Sequence, residues 1–191
     1  MLFRSNAGYT YDAQLLERLA DAFGECRVTV VDANDLALNF DELTLDEREA
    51  TFDFVRLADV VLQSFRCAAV LRRFAPAELP TLYTTNDAAT FLRSVDQSRE
   101  VADDLWGGIL ENVAADSGAG ALTQLCFNYN NAMVRRLTQI RHKTLIRRAV
   151  EMLYVQALLL GHIPLQAREM SVLNDGLLGL IELGLSGVEK K

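Results

Sequence analysis

Residues 149–160 read Ala149-Val150-Glu151-Met152-Leu153-Tyr154-Val155-Gln156-Ala157-Leu158-Leu159-Leu160, an apolar run broken only by Glu151 and Gln156. Ile146, Ala149, Val150, Leu153, Ala157 and Leu160 recur at helical spacing, which predicts a helix over 143–160. Leu145, Met152, Tyr154, Leu158 and Leu159 widen its apolar stripe well beyond the ~100° of an ordinary surface helix. Gly161-His162-Ile163-Pro164 follows, with glycine closing this helix and proline opening the next. The second helix, about 165–185, is wider still: Met170, Leu173, Leu177, Leu180 and Ile181 are joined by Val172, Leu178, Leu183 and Leu185. Gly176, Gly179 and Gly184 let backbones approach closely, at a helix-propensity cost of about 1 kcal/mol each. A hairpin of two helices cannot cover that much apolar surface by itself, and large uncovered patches mark association sites. A second copy would close it into a four-helix bundle by two-fold symmetry. The expected dimer interface is Ile146, Val150, Leu153, Ala157, Leu160, Leu173, Leu177, Leu180 and Ile181.

Toward the amino terminus, three β-like segments stand out at Ala69–Phe74, Thr81–Thr85 and Ala121–Phe127, with Pro76 and Pro80 punctuating the first turn. Between the second and third lies an insertion, Asp87 to Val113, that is helical by period. Its apolar residues fall at Phe91, Leu92 and Val95 and again at Leu105, Trp106, Ile109 and Leu110, on either side of the charged stretch Asp96–Asp104. Core packing is the default role for such residues, Trp106 included. Earlier still, Phe52, Val55, Leu57, Val60, Val61 and Phe65 trace a long helix, and Asp41–Asp46 reads as a connector. Before the connector, a helix over Asp12–Phe23, a β-branched run at Arg27–Val31 and a short helix through Phe40 make a layered α/β pattern. The expected class is α+β: an incomplete α/β domain end over 1–45, then a domain over 46–191 with a small three-stranded sheet and the hairpin 143–185. The chain is expected to begin mid-domain. Asn6-Ala7-Gly8-Tyr9 reads as a strand end and turn with no strand before it, and Leu2-Phe3-Arg4-Ser5 is what the end of a common sequencing adapter would encode.

Nineteen Lys and Arg against twenty-six Asp and Glu give a net charge of −7, which works against general binding to nucleic acid or anionic membrane. The one basic cluster, Arg135, Arg136, Arg141, His142, Lys143, Arg147 and Arg148, alternates with Val134, Leu137, Ile140 and Ile146 and reads as the wet face of amphipathic helices. Cys26, Cys67 and Cys126 are odd in number, far apart and set among apolar neighbours, so buried thiols in a reducing compartment fit better than disulfides or zinc ligands. No apolar run approaches the ~20 residues of a membrane span, and a cytoplasmic protein is expected. Catalytic, metal and cofactor sites are not expected in this segment. His142 and His162 fall in helix-flanking turns, no ligand cluster has metal spacing, and Gly107-Gly108 and Gly118/Gly120 lack the context of a phosphate loop.

From about Val70 the chain resembles the carboxy-terminal domain of the ninety-kilodalton heat-shock chaperones (heat shock protein 90 family), in particular the bacterial high-temperature protein G type and its actinobacterial relatives. Val70-Leu71-Arg72-Arg73-Phe74 and Pro80-Thr81-Leu82-Tyr83-Thr84-Thr85-Asn86-Asp87 look like that family's first two strands. Residues 124–137, from Gln124-Leu125-Cys126-Phe127-Asn128 to Val134-Arg135-Arg136-Leu137, resemble its third strand, turn and following helix. The run 149–160 resembles its signature helix most closely. Tyr129 stands where the family usually has proline, and so does Ala132 in many members, which implies a looser turn there.

The resemblance implies an ATP-dependent, ATP-hydrolysing chaperone that works as a homodimeric clamp on unfolded or partly folded clients. Its nucleotide site, with ATP and Mg, would lie upstream of Asn6, so no catalytic residue carries over. What carries over is homodimerisation by 143–160 and 165–185, together with a client-contact face at Phe91, Leu92, Val95, Trp106, Ile109 and Leu110. The ending Gly187-Val188-Glu189-Lys190-Lys191 lacks the acidic tail of eukaryotic cytosolic members, so tail-binding helical-repeat co-chaperones are not expected. A stand-alone dimeric adaptor or regulator of the same fold is the alternative.

Overall fold

The computed structural model describes residues 39–101 and 123–188, together with Arg18 and Ala37. The chain divides into two units, 1–32 and 33–191, and the second is the one described below. Apart from Arg18, the expected helix Asp12–Phe23 and strand Arg27–Val31 lie outside the described residues, as do Cys26, Trp106, Ile109 and Leu110.

The described residues form an α+β fold of five helices and a three-stranded mixed sheet. Helix α1 (Leu45–Leu62) starts where Thr44 and Glu47 make a reciprocal capping box, the Thr44 hydroxyl accepting from the Glu47 amide at 3.4 Å and a Glu47 carboxylate oxygen accepting from the Thr44 amide at 3.1 Å. The connector before it belongs to the same packed unit, since Leu43 is buried in the core and Asp41 bridges to Arg73. A 3-10 turn, Gln63–Phe65, leads to β1 (Ala68–Arg72), which is followed by β2 (Thr81–Thr85) and α2 (Asp87–Val101). After the insertion come β3 (Thr123–Asn128), α3 (Ala132–Gln139), α4 (Lys143–Leu160) and α5 (Ala167–Val188).

β3 is central. It runs parallel to β1, with Val70 opposite Cys126, and antiparallel to β2, with Leu82 opposite Cys126. A strand paired on both edges and covered on both faces reads as a continuous buried run, and Leu125 to Asn128 are all buried. The row Ala69, Leu125, Tyr83 and the row Leu71, Phe127, Thr81 lie on one face, as the period of two requires. The core against them comes from Phe54, Ala58 and Leu62 of α1 and Val150, Tyr154 and Leu158 of α4. Phe54 meets Phe127 edge-on at 5.3 Å, and Tyr83 meets Tyr154 at 5.9 Å.

The turn between β1 and β2 is held by Asn128, which is fully buried. Its amide nitrogen donates to the carbonyls of Phe74, Pro76 and Leu79 at 3.0–3.1 Å, and its oxygen accepts from the amides of Phe74 and Asn130. Every polar atom of a side chain removed from water is thereby satisfied. Asn131 caps α3, its oxygen accepting from the amides of Met133 and Val134, so the turn lacking proline is closed by side-chain amides instead. Cys67 and Cys126 are free and buried; burial pushes their thiols up to about 12 and about 11.

Helix α4 ends at Gly161, but the left-handed position of the elbow is His162, with φ +55°. A side chain there costs about 1 kcal/mol against glycine, and His162 is exposed. His162→Gly is therefore expected to raise stability by about 0.5–1 kcal/mol, read as a higher urea midpoint with an unchanged slope.

Candidate dimer interface and client face

The hairpin α4–α5 folds as the apolar spacing predicts, but its apolar residues divide between two surfaces. Ile146, Val150, Leu153 and Ala157 are all buried in this chain's own core. This corrects their place in the expected interface: α4 lies between α1 and β2 on one side and α5 on another, so its richest stripe is spent on the sheet and α1. Leu173 is half-buried against the same core. Leu160, Leu177, Leu180 and Ile181 remain open, at 48–60 % exposure.

The reason lies in how α5 seats on α4. Gly176 faces Met152 so closely that a Cβ built there would lie 2.0 Å from the Met152 sulfur. Val172, Gly176 and Gly179 share one side of α5, and Val172 packs against the core. At 100° per residue, the exposed apolar side chains run from Leu180 through Leu177, Met170 and Ile181 to Leu185 and Leu178, an arc of about 160° that also holds the exposed Asn174 and, toward its Leu180 edge, the half-buried Leu173. All six are exposed, and Leu159 and Leu160 at the end of α4 are exposed as well. Helix α5 thus carries apolar side chains on both sides, and among the described residues only one side is covered.

The elbow is anchored to α2. Glu169, only 1 % exposed, accepts a bidentate pair from the Arg93 guanidinium, one arm at 2.9 Å, and also accepts from the Tyr154 hydroxyl at 2.7 Å and the Gln166 amide at 2.8 Å. Arg93 and Gln97 both donate to the Pro164 carbonyl, at 2.8 and 3.1 Å. Burial works against the Arg93 charge, and the hydrogen bonds and negative charge of Glu169 more than offset it, so the pKa of Arg93 is raised. Burial and the Glu169 carboxylate together raise the Tyr154 phenol, which stays protonated as a donor. The Nε of Arg93 is buried without a hydrogen-bond partner.

This anchor was not expected from sequence. Glu169 three residues after Gln166 is a helix-start spacing that could have flagged it, whereas Arg93 lies 76 residues away.

On α2, Phe91 is 47 % exposed and Leu92 is half-buried. Val95 is buried, which removes it from the expected client-contact set: it lies on the inner side of the helix. Among the described residues, no helix is long and apolar enough to cross a membrane. The chain matches no model of a known protein family, and no curated protein matches its sequence.

Proposed function

We propose that this chain is the carboxy-terminal part of an ATP-dependent molecular chaperone, the segment that holds two copies together and presents α2 to unfolded or partly folded clients. The observation that carries the reading is the uncovered apolar arc of α5, continued by Leu159 and Leu160 of α4. Eight leucine-sized side chains, each about half exposed on each of two copies, would bury on the order of 1,500 Å², the size of a standard stable interface. A helical face of this kind is self-complementary under a two-fold axis. A clamp driven by ATP needs such a constant joint, because it keeps the two working ends at high effective concentration. ATP and Mg would act in an upstream domain of the parent protein, and the cytoplasm is the compartment that suits the reading.

Sedimentation velocity of the purified chain tests it. A species of twice the chain mass is expected across about 1–50 µM, as a Kd in the nanomolar range requires. A monomer throughout that range would sink the proposal.

A further inference from the structure

Residues 129–150 contain no aspartate or glutamate, in a chain whose net charge is −7. The six Arg and Lys residues of this stretch, Arg135, Arg136, Arg141, Lys143, Arg147 and Arg148, are all exposed, and among the described residues none forms an ion pair. Beside them, a groove of about 890 Å³ opens between α1 and the junction of α3 with α4. Leu57, Val60, Ile140 and Ile146 give it an apolar lining. Arg56, Arg141 and Lys143 line it with positive charge, against the single carboxylate of Asp53.

We infer that this groove docks a short acidic segment of a partner protein, one that seats a bulky apolar side chain on the lining and sets flanking carboxylates against Arg56, Arg141 and Lys143. Charge complementarity selects the occupant. Three exposed cations around an apolar concavity favour a ligand that is apolar at its centre and anionic at its edges, and the volume lies within the range of pockets that enclose a few side chains. The same cations could meet a nucleic-acid backbone, but the groove provides no stacking platform for bases. Of its two aromatic side chains, Tyr129 already carries the Arg73 guanidinium over its ring at 5.0 Å, and Phe54 is buried against Phe127. The groove is lined by residues other than the exposed ones of α5, so docking here and pairing through α5 stand or fall separately.

Fluorescence anisotropy with the full chain tests the inference. The probe is a fluorescein-labelled peptide of about ten aspartate and glutamate residues with a central leucine-phenylalanine pair, compared with the same peptide carrying serines at the centre and with a labelled oligothymidine of about 20 nucleotides. The apolar-centred peptide is expected to bind with a Kd on the order of 10 µM, at least tenfold tighter than the serine peptide and than the oligothymidine. Arg141→Glu with Lys143→Glu is expected to weaken it by at least tenfold, as is Val60→Asp; all three positions are exposed, so the fold should tolerate the changes. Absence of binding to the wild-type chain below about 1 mM overturns the inference, as does equal binding of the serine peptide or tighter binding of the oligothymidine. Binding that survives the charge reversal overturns it too.

Discussion

Leu180→Asp is expected to leave the fold intact and abolish pairing. Leu180 is 60 % exposed in the single chain, so the carboxylate stays in water until a second copy arrives. Pairing would then desolvate it against an apolar helix. Two-fold symmetry makes every substitution twice, so a penalty of about 2–3 kcal/mol per copy sums to about 5 kcal/mol, or a rise in Kd of three to four powers of ten. Leu177→Asp should behave alike, and Arg147→Ala should change nothing. Leu153→Asp, at a position only 5 % exposed, is expected to unfold the chain instead of releasing a folded monomer. A Leu180→Asp chain that still sediments as a dimer at about 1 µM would show that α5 is not the joint.

The second large effect is expected at the elbow. Glu169→Leu leaves the Arg93 guanidinium buried without its counter-charge and removes the partner of the Tyr154 hydroxyl and the Gln166 amide. Removing one member of a buried ion pair costs about 3–5 kcal/mol, a large share of the ~5–15 kcal/mol that holds a domain folded. Urea denaturation followed by circular dichroism measures it. Arg93→Leu should cost a similar amount, since it strands a carboxylate that is 1 % exposed. A loss below about 1 kcal/mol in both variants would mean that water or a neighbour replaces the missing partner, and that the pair does not hold the hairpin to α2.

Much of the local structure was legible in the order of the residues. The three strands and α4 fall within about two residues of their expected places, because short strand-like runs, the first two separated by Pro76 and Pro80, and a sustained helical period are strong local signals. The α4–α5 turn was equally readable from Gly161 and Pro164, although the left-handed residue proved to be His162. What the sequence could not say is which apolar face of the hairpin meets the chain's own core. Leu153 and Leu180 are the same residue type on neighbouring helices; packing of α4 on the sheet and α1 covers the first, and the close seating of Gly176 on Met152 turns the second outward. Long-range polar pairs were equally hidden. Nothing in the neighbourhood of Arg93 announces Glu169, and nothing near Asn128 announces the three carbonyls from residues 74–79 that it gathers.

The strand order has a consequence for how the protein is made. β1 and β2 do not pair with each other; both wait for β3, which is encoded roughly 40 residues after β2 ends. At a synthesis rate of about 5–20 residues per second, a nascent chain carries two strands without their common neighbour for several seconds, and for longer while β3 is still inside the ribosome. During that interval the backbone edges of both strands are open to other chains. A protein with the role proposed here would itself pass through a stage of synthesis in which it depends on being shielded.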